Sequence, residues 1–369
     1  MRSKVGEGGG KIMFRFRDEE TAKKVVHSIA DFGIKARFMH VCGTHQDTLV
    51  RFGLQEMLLD SGVEIRQGPG CPVCVTTTKE IVEGLTLARS GVTITVFGDM
   101  MTVPTPIGCL ADAKAEGADV RVVYSVDDAL QVAAHAKEVV FLAIGFETTS
   151  PTTASALLHG LPRNLSVLSC HRILPPALGA LFSLGEVKID GLIQPGHVAT
   201  IIGLRPFDRF SVQRKIPQVV AGFEPLDLLV AVFMMLKQLA EGRHEVENEY
   251  TRVVRPEGNP RAMAMLDEVF VPVDRNWRGF PVIPKSALEL RSEFDAQNAR
   301  LRHHEILSHA PEVKEEMGGC RCGEVLRGLI ESHECPVFGK GCSPKRPMGP
   351  CMVSREGGCN IAYRYRPKA

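Results

Sequence analysis

Apolar and polar positions follow two different rhythms along the first two thirds of the chain. Short apolar runs such as ARFMHV (36–41) and VTITVFG (92–98) have the length and β-branched content of buried strands, whereas TKEIVEGLTLARSG (78–91) repeats apolar residues at helical spacing. These patterns follow one another in β-α-β-α-β order. This order predicts an α/β fold in which helices cover a parallel sheet.

The strand and helix rhythm begins again near residue 138, where EVVFLAIGFETTSPTTASALLHGL (138–161) reads as strand, loop and helix. We therefore expect two similar parallel-sheet α/β domains, at residues 34–137 and 138–222. Residues 1–33 predict a tail and a helix that packs on the C-terminal domain. Residues 223–369 predict a mainly helical, loop-rich C-terminal domain.

Two helical patterns make more local predictions. QDTLVRFGLQEMLLDSG (46–62) predicts one amphipathic helix. The apolar run LLVAVFMML (228–236) stops at Lys237, at about half the length needed to cross a bilayer, so it predicts a buried helix.

Composition agrees with a soluble globular protein of more than one domain. The chain has 369 residues, of which 44% are apolar and 24% charged, and its formal net charge is +1. The balanced charge counts against nucleic-acid binding, which stays only a weak possibility. The first residues include Lys and Arg but no following apolar stretch, so we expect no secretory signal, no membrane association and a cytoplasmic location.

Short polar motifs follow the predicted strands, and in open parallel sheets ligands bind at the carboxyl ends of strands. The motifs are CGTH (42–45), GPGCPVC (68–74), GFETTSP (145–151) and QPGHVATIIG (194–203). Cysteine, histidine and glycine recur among them. The sequence therefore predicts a functional site at these strand ends.

GPGCPVC places two thiols, Cys71 and Cys74, in a stiff loop before a predicted helix. Its glycines, Gly68 and Gly70, predict that the loop backbone approaches a neighbouring group closely, without indicating which group. A helix N-terminus stabilises a thiolate, which favours a redox or metal-handling role over a purely structural pair. A zinc ribbon would need a second close pair, and none lies in this half of the chain.

The other strand-end motifs contain single candidate residues. Cys42 is either a soft metal ligand or a small buried residue, and His45 is either a general base or a packed residue. A helix cap explains the hydroxyl residues of GFETTSP but leaves Glu147 unexplained. His197, taken alone, is more often a structural residue.

Six of the eleven cysteines lie in the last fifty residues, a distribution that disulfides in a reducing compartment do not explain. Four of them can hold a [4Fe–4S] cluster, and the two that remain can form a redox pair. The proposed ligands are Cys320, Cys335, Cys342 and Cys359, and the remaining pair is Cys322 and Cys351. A zinc site built from the same residues stays an alternative.

These motifs, in this order over almost the whole chain, resemble the HypD family of hydrogenase maturation factors. The matching stretches are FMHVCGTH, GPGCPVC, GFETTSPTTA, QPGHVATIIG, GFEPLDLL and the cysteine-rich tail from CRCGEVLRGL onward. The resemblance implies a scaffold for assembly of the Fe(CN)2CO unit of [NiFe]-hydrogenases. It implies HypC and HypE as partners, cyanide received from HypE, the hydrogenase large subunit as an indirect partner, and a monomer in the free state.

The resemblance also implies roles for individual residues. Cys42 would hold the iron, with His45 beside it, and Cys71 and Cys74 would be a dithiol in a cleft between the two α/β domains. The four proposed tail ligands would hold the cluster, and Cys322 and Cys351 would relay its electrons. Glu147 and His197 lie in matched motifs and join the candidate site residues.

Two other functions remain open from the sequence. One is a stand-alone iron–sulfur thiol-disulfide reductase, which would reduce an external disulfide through Cys71 and Cys74. The other is a structural zinc protein that serves as an interaction platform.

Overall fold

The computed structural model describes residues 17–315 and 318–366. The strands are β1 Ala36–His40, β2 Val63–Gln67, β3 Thr93–Phe97, β4 Val120–Val123, β5 Val139–Gly145, β6 Leu165–His171, β7 Gly191–Pro195, β8 Gln218–Ala221, β9 Val246–Asn248, β10 Phe270–Asn276 and β11 Val282–Leu290. The α-helices are α1 Glu19–Asp31, α2 Gly43–Arg51, α3 Leu54–Asp60, α4 Pro72–Val75, α5 Thr78–Arg89, α6 Leu110–Ala115, α7 Val126–Ala133, α8 Ser150–His159, α9 Leu174–Leu184, α10 Gly196–Ile202, α11 Arg205–Arg214, α12 Pro225–Ala240, α13 Pro260–Val269, α14 Ala299–Arg302, α15 His304–Ser308, α16 Cys322–Leu326, α17 Pro350–Val353 and α18 Gly358–Tyr365. Short 3₁₀ helices span Gly98–Met100, Ser292–Gln297 and Ser332–Glu334.

Nine of the strands form two parallel sheets. The first sheet has the order β2-β1-β7-β8-β9 and the second has the order β4-β3-β5-β6. Strands β10 and β11 pair as an antiparallel hairpin that packs against β6 and α9. The predicted α/β class with parallel sheets is therefore confirmed.

Strand pairing divides the chain differently from the predicted domain boundaries. Strands β1 and β2 come from residues 34–137, yet their sheet continues with β7 and β8 from residues 138–222. Likewise β3 and β4 share the second sheet with β5 and β6. The predicted boundary at residue 137 therefore does not separate the sheets. Hydrophobic periodicity specifies the type of an element but not the strand with which it pairs, because pairing is decided by tertiary packing.

Both faces of each sheet are buried, as expected for parallel sheets covered by helices. In β5 the side chains of Val140 and Leu142 enter the core that also contains the cysteine-rich tail, whereas those of Phe141 and Ala143 enter a core with α7, α8 and α13. In β1 the side chain of Phe38 instead joins a third core beneath α1, α3 and α12. Successive residues of β5 thus pack into different hydrophobic cores on the two faces of the sheet.

The predicted helix over residues 46–62 is two helices. Helix α2 ends at Arg51 and α3 begins at Leu54, because Gly53 between them adopts a left-handed conformation with φ of 67°. The predicted buried helix at residues 228–236 is confirmed as part of α12, which covers the first sheet. Among the described residues no helix combines the length and apolarity needed to span a membrane.

The region after residue 222 is less helical than predicted. Strand β9 and helix α12 complete the first sheet and its covering layer, and the hairpin β10–β11 lies in the same region. Helix α1 packs on α12, where Phe32 and Phe233 meet with their ring centroids 5.4 Å apart. Residues 1–16 of the predicted tail lie outside the described residues. The cysteine-rich segment from residue 318 to residue 366 consists of short helices and turns.

Candidate functional site

Four segments meet at the carboxyl edge of the first sheet. Cys42 follows β1, the loop at residues 68–74 follows β2, His197 lies in the first turn of α10 after β7, and Phe223 follows β8. The strands are parallel, so their carboxyl ends share one edge. The structure therefore brings CGTH, GPGCPVC and QPGHVATIIG together at one sheet edge, whereas the fourth motif, GFETTSP, follows β5 in the second sheet.

Two glycines bring the loop at residues 68–74 into contact with the end of β1. A Cβ atom at Gly70 would overlap the carbonyl group of Val41 and the amide nitrogen of Cys42, and one at Gly68 would lie 2.7 Å from the sulfur of Met39. The amide of Gly68 also donates a hydrogen bond of 2.8 Å to the carbonyl oxygen of His40. The predicted close approach is confirmed, and the neighbouring backbone is that of Cys42.

Cys42 is a buried thiol that faces a histidine. Its Sγ atom lies 4.0 Å from Nδ1 of His197, whose ring stacks on Phe223 with a centroid distance of 5.1 Å. Burial raises the pKa of Cys42 to about 12, and the charge of Glu356 acts in the same direction. Burial lowers the pKa of His197 to about 4. A protonated thiol and a neutral imidazole therefore lie side by side at neutral pH.

His45 contributes a second buried imidazole to the same edge. Its ring centroid lies 5.2 Å from that of Phe223, so Phe223 contacts both histidines. Within the described residues neither ring nitrogen has a hydrogen-bond partner of normal geometry. Burial, together with His40 and His197, holds the pKa of His45 well below its usual range, although the backbone of Ala221 and Gly222 partly opposes this.

The two thiols of GPGCPVC are joined as a disulfide between Cys71 and Cys74. Cys71 precedes the short helix α4, and its sulfur accepts a hydrogen bond of 3.1 Å from the amide of Cys74. Both residues are fully buried. A disulfide can accept two electrons and two protons, and the loop that contains this disulfide lies against the backbone of Cys42.

Glu147 lies apart from the other strand-end candidates, after β5 in the second sheet. Its Oε1 accepts a hydrogen bond of 2.9 Å from the amide of Leu174, the first residue of α9, while Oε2 has no partner among the described residues. Burial raises its pKa to about 7. The structure thus gives Glu147 a helix-capping contact that the sequence could not show, and leaves one of its oxygens unpaired.

The six cysteines of the tail line one small cavity. Its wall consists of Cys320, Cys322, Cys335, Cys342, Cys351 and Cys359, with Val337, Phe338, Gly349 and Met352. The thiols of Cys320 and Cys322 contact each other, and that of Cys322 also contacts Cys351. Burial and the neighbouring thiols raise the pKa of Cys359 well above its usual range.

The cysteine cavity adjoins the disulfide loop. Helices α16 and α17, which begin at Cys322 and one residue before Cys351, both contact α4, which contains Cys74. Arg278 extends this contact, because its guanidinium donates to the carbonyl oxygen of Thr76 and the hydroxyl of Thr78. Contacts with neighbouring thiols and the charge of Arg278 favour the thiolates of Cys322 and Cys351, but burial and other nearby thiols leave the pKa of each raised overall. The cysteine cavity of the tail and the Cys71–Cys74 disulfide are therefore connected by helices that are in direct contact.

The cavity suits an iron–sulfur cluster by the chemistry of its side chains, but their arrangement does not by itself define a cluster site. Thiolates are the ligands that such clusters use, and six thiols converge on one enclosed space that is lined otherwise by apolar side chains. No group of three or more His, Cys, Asp or Glu side chains in the described parts of the chain is arranged to hold a single metal ion. The donor chemistry therefore suits a cluster, while the spacing of the thiols does not define one.

Several residues of the site were not predicted from the sequence. Phe223 lies in GFEPLDLL, but nothing in that motif distinguishes a ring between two histidines from a core residue. Glu356 packs so closely on Gly43 that a Cβ there would overlap it. Arg278 is one of many arginines, and only its burial marks it.

Comparisons with known proteins agree with one another. The HypD family model, described as "Hydrogenase formation hypA family", matches residues 19–366. The chain is 43% identical over 363 residues to a putative hydrogenase expression/formation protein of Methanocaldococcus jannaschii, covering 96% of this chain and 99% of that protein. It is 42% identical to hydrogenase maturation factor HypD of Rhizobium leguminosarum over 96% of this chain and 95% of that protein. For hydrogenase maturation factor HypD of Cupriavidus necator, the identity is also 42%, over 96% of this chain and 97% of that protein. The chain therefore belongs to the HypD family.

Proposed function

We propose that this protein is a [NiFe]-hydrogenase maturation factor, a scaffold on which the Fe(CN)2CO unit is assembled with HypC and with cyanide from HypE. One observation carries the proposal: a buried thiol, Cys42, lies beside His197 and against the Cys71–Cys74 loop, at the edge of a sheet where ligands bind. Family membership and the names of the relatives support the broader part of the proposal, a role in hydrogenase maturation.

Cys42 is the proposed iron ligand. Iron that bears cyanide and CO is a soft metal centre and prefers thiolate over carboxylate ligands. The buried thiol must lose its proton when it binds iron, because only the thiolate is a ligand. His197, which is neutral and 4.0 Å away, offers Nδ1 as the acceptor of that proton. His45 supplies a second neutral imidazole at the same edge.

A [4Fe–4S] cluster is the proposed resident cofactor, held by Cys320, Cys335, Cys342 and Cys359. The convergence of the tail thiols on one cavity supports a cluster there, and the choice of these four ligands over Cys322 and Cys351 rests on the resemblance to the family. When bound, the cluster would supply single electrons. Cys322 and Cys351, which contact each other, remain for thiol chemistry.

The two thiol pairs can exchange electrons in a balanced step. Two thiols, at Cys322 and Cys351, become a disulfide while the Cys71–Cys74 disulfide becomes two thiols; two electrons and two protons pass between the pairs. Shared packing of α16 and α17 on α4 supports this route. The reduced Cys71 and Cys74 would then serve the reductive transfer of cyanide to iron beside them.

Anaerobic copurification with HypC and HypE tests the proposed function. We expect infrared bands in the cyanide and CO region that disappear in Cys42→Ala. Cys109→Ala is a matched control, because Cys109 is a partly exposed thiol that precedes α6, outside both thiol groups, and this variant should keep the bands. Bands of equal intensity in Cys42→Ala would contradict the assignment.

The Cys71–Cys74 disulfide also favours a second function, that of a stand-alone thiol-disulfide reductase. That function predicts turnover of a generic disulfide substrate without iron at Cys42.

The double variant Cys322→Ser/Cys351→Ser tests whether electrons pass through these two thiols. If they do, cyanide transfer should stop in this variant even though the cluster is retained. Transfer at the normal rate would show that the relay is wrong without affecting the role of Cys42.

A further inference from the structure

A groove of about 550 Å³ lies outside the thiol site, between α9, α11 and the β10–β11 hairpin. Phe182 and Phe210 stand in its wall with ring centroids 5.9 Å apart, and Val282 beside them is 54% exposed. Phe210 is buried, so the solvent-open apolar surface of the groove consists mainly of Val282 and the half-buried Phe182.

Three cations surround this apolar surface, and they come from two different elements. Arg209 and Arg214 lie on α11, and Lys285 lies on β11. No carboxylate lines the groove within the described residues, and none of the three side chains forms an ion pair there. Glu186, close in sequence to α9, is paired instead with Arg327 at 3.0 Å. The side chains of the three cations therefore form no ion pair with the described residues, although the carboxylate of Asp274 accepts a hydrogen bond of 2.9 Å from the backbone amide of Lys285.

Each arginine packs on an aromatic ring, and this contact does not use the hydrogen-bond donors of its guanidinium. The guanidinium of Arg209 lies 4.6 Å from the ring centroid of Phe210, and that of Arg214 lies 5.6 Å from the ring centroid of Phe182. Stacking on a ring uses the face of the guanidinium and leaves its N–H edge free to donate. Partial burial also lowers the pKa of Arg209, which an anion in the groove would offset.

Lys285 reaches the groove from an irregular part of the hairpin. Its φ of 51° is left-handed, and the strand register shifts between Val273 and Arg275 on the opposite strand. Such bulges redirect a side chain at a cost of about 1 kcal/mol for a residue with a Cβ. The hairpin thus accepts a strained residue at the position where its side chain joins the two arginines.

The geometry points to an acidic peptide segment with a large apolar side chain, docked in this groove; this inference is independent of the proposed function. Carboxylates would pair with the two arginines and with Lys285, and the apolar side chain would contact Phe182 and Val282. A free phosphate would pair with the same cations but would leave the apolar part of the groove uncovered, which favours the peptide.

An array of 12-residue peptides tests the inference on the full-length protein. The peptides vary in the number of Asp or Glu residues and in the presence of one Leu or Phe, and each has a partner with Lys in place of every acid. We expect peptides with both features to bind at least tenfold more tightly than those with either feature removed, and their binding to weaken as salt concentration rises.

Charge reversal locates the binding. Arg209→Glu and Lys285→Glu should each weaken binding of the best peptide by about tenfold or more. Arg261→Glu, at the exposed start of α13 and outside the groove, is the matched control and should bind as the unaltered protein does. Urea unfolding checks that the variants are folded, and Arg209→Ala replaces Arg209→Glu if the reversal shifts the midpoint. Equal binding by all variants, no preference for acidic and apolar peptides, or displacement by ATP at lower concentration than by peptide would each overturn the inference.

Discussion

At Gly70 the structure has room for a hydrogen atom and for no larger group. A Cβ atom there would overlap the backbone of Val41 and Cys42, and backbone cannot move aside as a flexible side chain can. Gly70→Ala should therefore lower the free energy of unfolding by about 3 kcal/mol, at the upper end of the costs of overpacking. Urea unfolding of the protein, followed by circular dichroism, measures the change.

Gly318→Ala provides the control for Gly70→Ala. Gly318 has nothing within 4 Å of its ideal Cβ position, so the same methyl group should change the free energy of unfolding by less than about 0.5 kcal/mol. Equal effects of the two substitutions would show that the loop does not approach Cys42 as closely as the structure indicates.

Glu147 makes stability depend on pH. Its folded-state pKa of about 7 lies above its ordinary value of 4.5, so the folded protein holds the proton more tightly than the unfolded chain does. Its contribution to stability is complete below about pH 4.5 and is lost as the pH rises to about 7. Glu147→Gln removes this dependence. Relative to the unaltered protein, the variant should gain up to about 3 kcal/mol of stability between pH 4 and pH 8.

Urea unfolding at several pH values, with both proteins under the same reducing conditions, measures the effect of Glu147→Gln. Subtracting the two curves removes every titration that the proteins share. A difference that stays constant across this pH range would contradict a raised pKa for Glu147.

Motif positions could be predicted from the sequence, but their contacts could not. Gly68 and Gly70 predicted a close approach because only glycine tolerates it, and the structure supplied the partner, the end of β1. Cys42 and His197 stand 155 positions apart, and only the pairing of β1 with β7 brings them together. Arg278 could not be singled out from the sequence, because the sequence does not distinguish a buried arginine from an exposed one.

Among the elements, the break between α2 and α3 depends on one residue. Gly53 has a φ of 67° and nothing within 4 Å of its ideal Cβ position, so a larger residue meets backbone strain without a steric clash. Gly53→Ala should cost about 1 kcal/mol, whereas Gly53→Asn should cost less because asparagine tolerates the left-handed region. Thermal unfolding of both variants measures this order. If alanine were tolerated better than asparagine, the helix would continue through the break.

Arg278, in the turn of the β10–β11 hairpin, links the hairpin to the segment between α4 and α5. Its guanidinium donates two hydrogen bonds to Thr76 and one to Thr78, and pairs with Glu315 at 3.0 Å. Arg278→Met would leave buried acceptors without donors and should cost about 3 kcal/mol. Urea unfolding measures this loss.

Arg121→Met is the control for Arg278→Met, because Arg121 pairs with Asp119 at the surface, where both side chains are more than two-fifths exposed. Loss of an exposed ion pair should cost less than about 1 kcal/mol. A loss at Arg278 no larger than the loss at Arg121 would mean that the buried arginine does not connect these elements.

At the scale of the whole molecule, the chain alternates between the two sheets, so that each half of the sequence contributes strands to both. The chain builds β1 and β2 of the first sheet, passes to the second sheet for β3 to β6, and returns with β7 and β8. Helical and strand periodicities are local and repeat in both halves, so they predicted two consecutive domains. Strand partners depend on contacts between distant segments, which no local pattern encodes.

This strand order predicts that residues 34–137 do not fold alone. Within that fragment β1 lacks its neighbour β7 and β3 lacks its neighbour β5, so each sheet would be reduced to a pair of strands with an unprotected edge. The fragment of residues 34–137 should show no cooperative unfolding in urea by circular dichroism. Mixing it with residues 138–369 should restore a cooperative transition, because the second fragment supplies both missing neighbours. A cooperative transition in the short fragment alone would show that residues 34–137 form an independent domain despite the strand order.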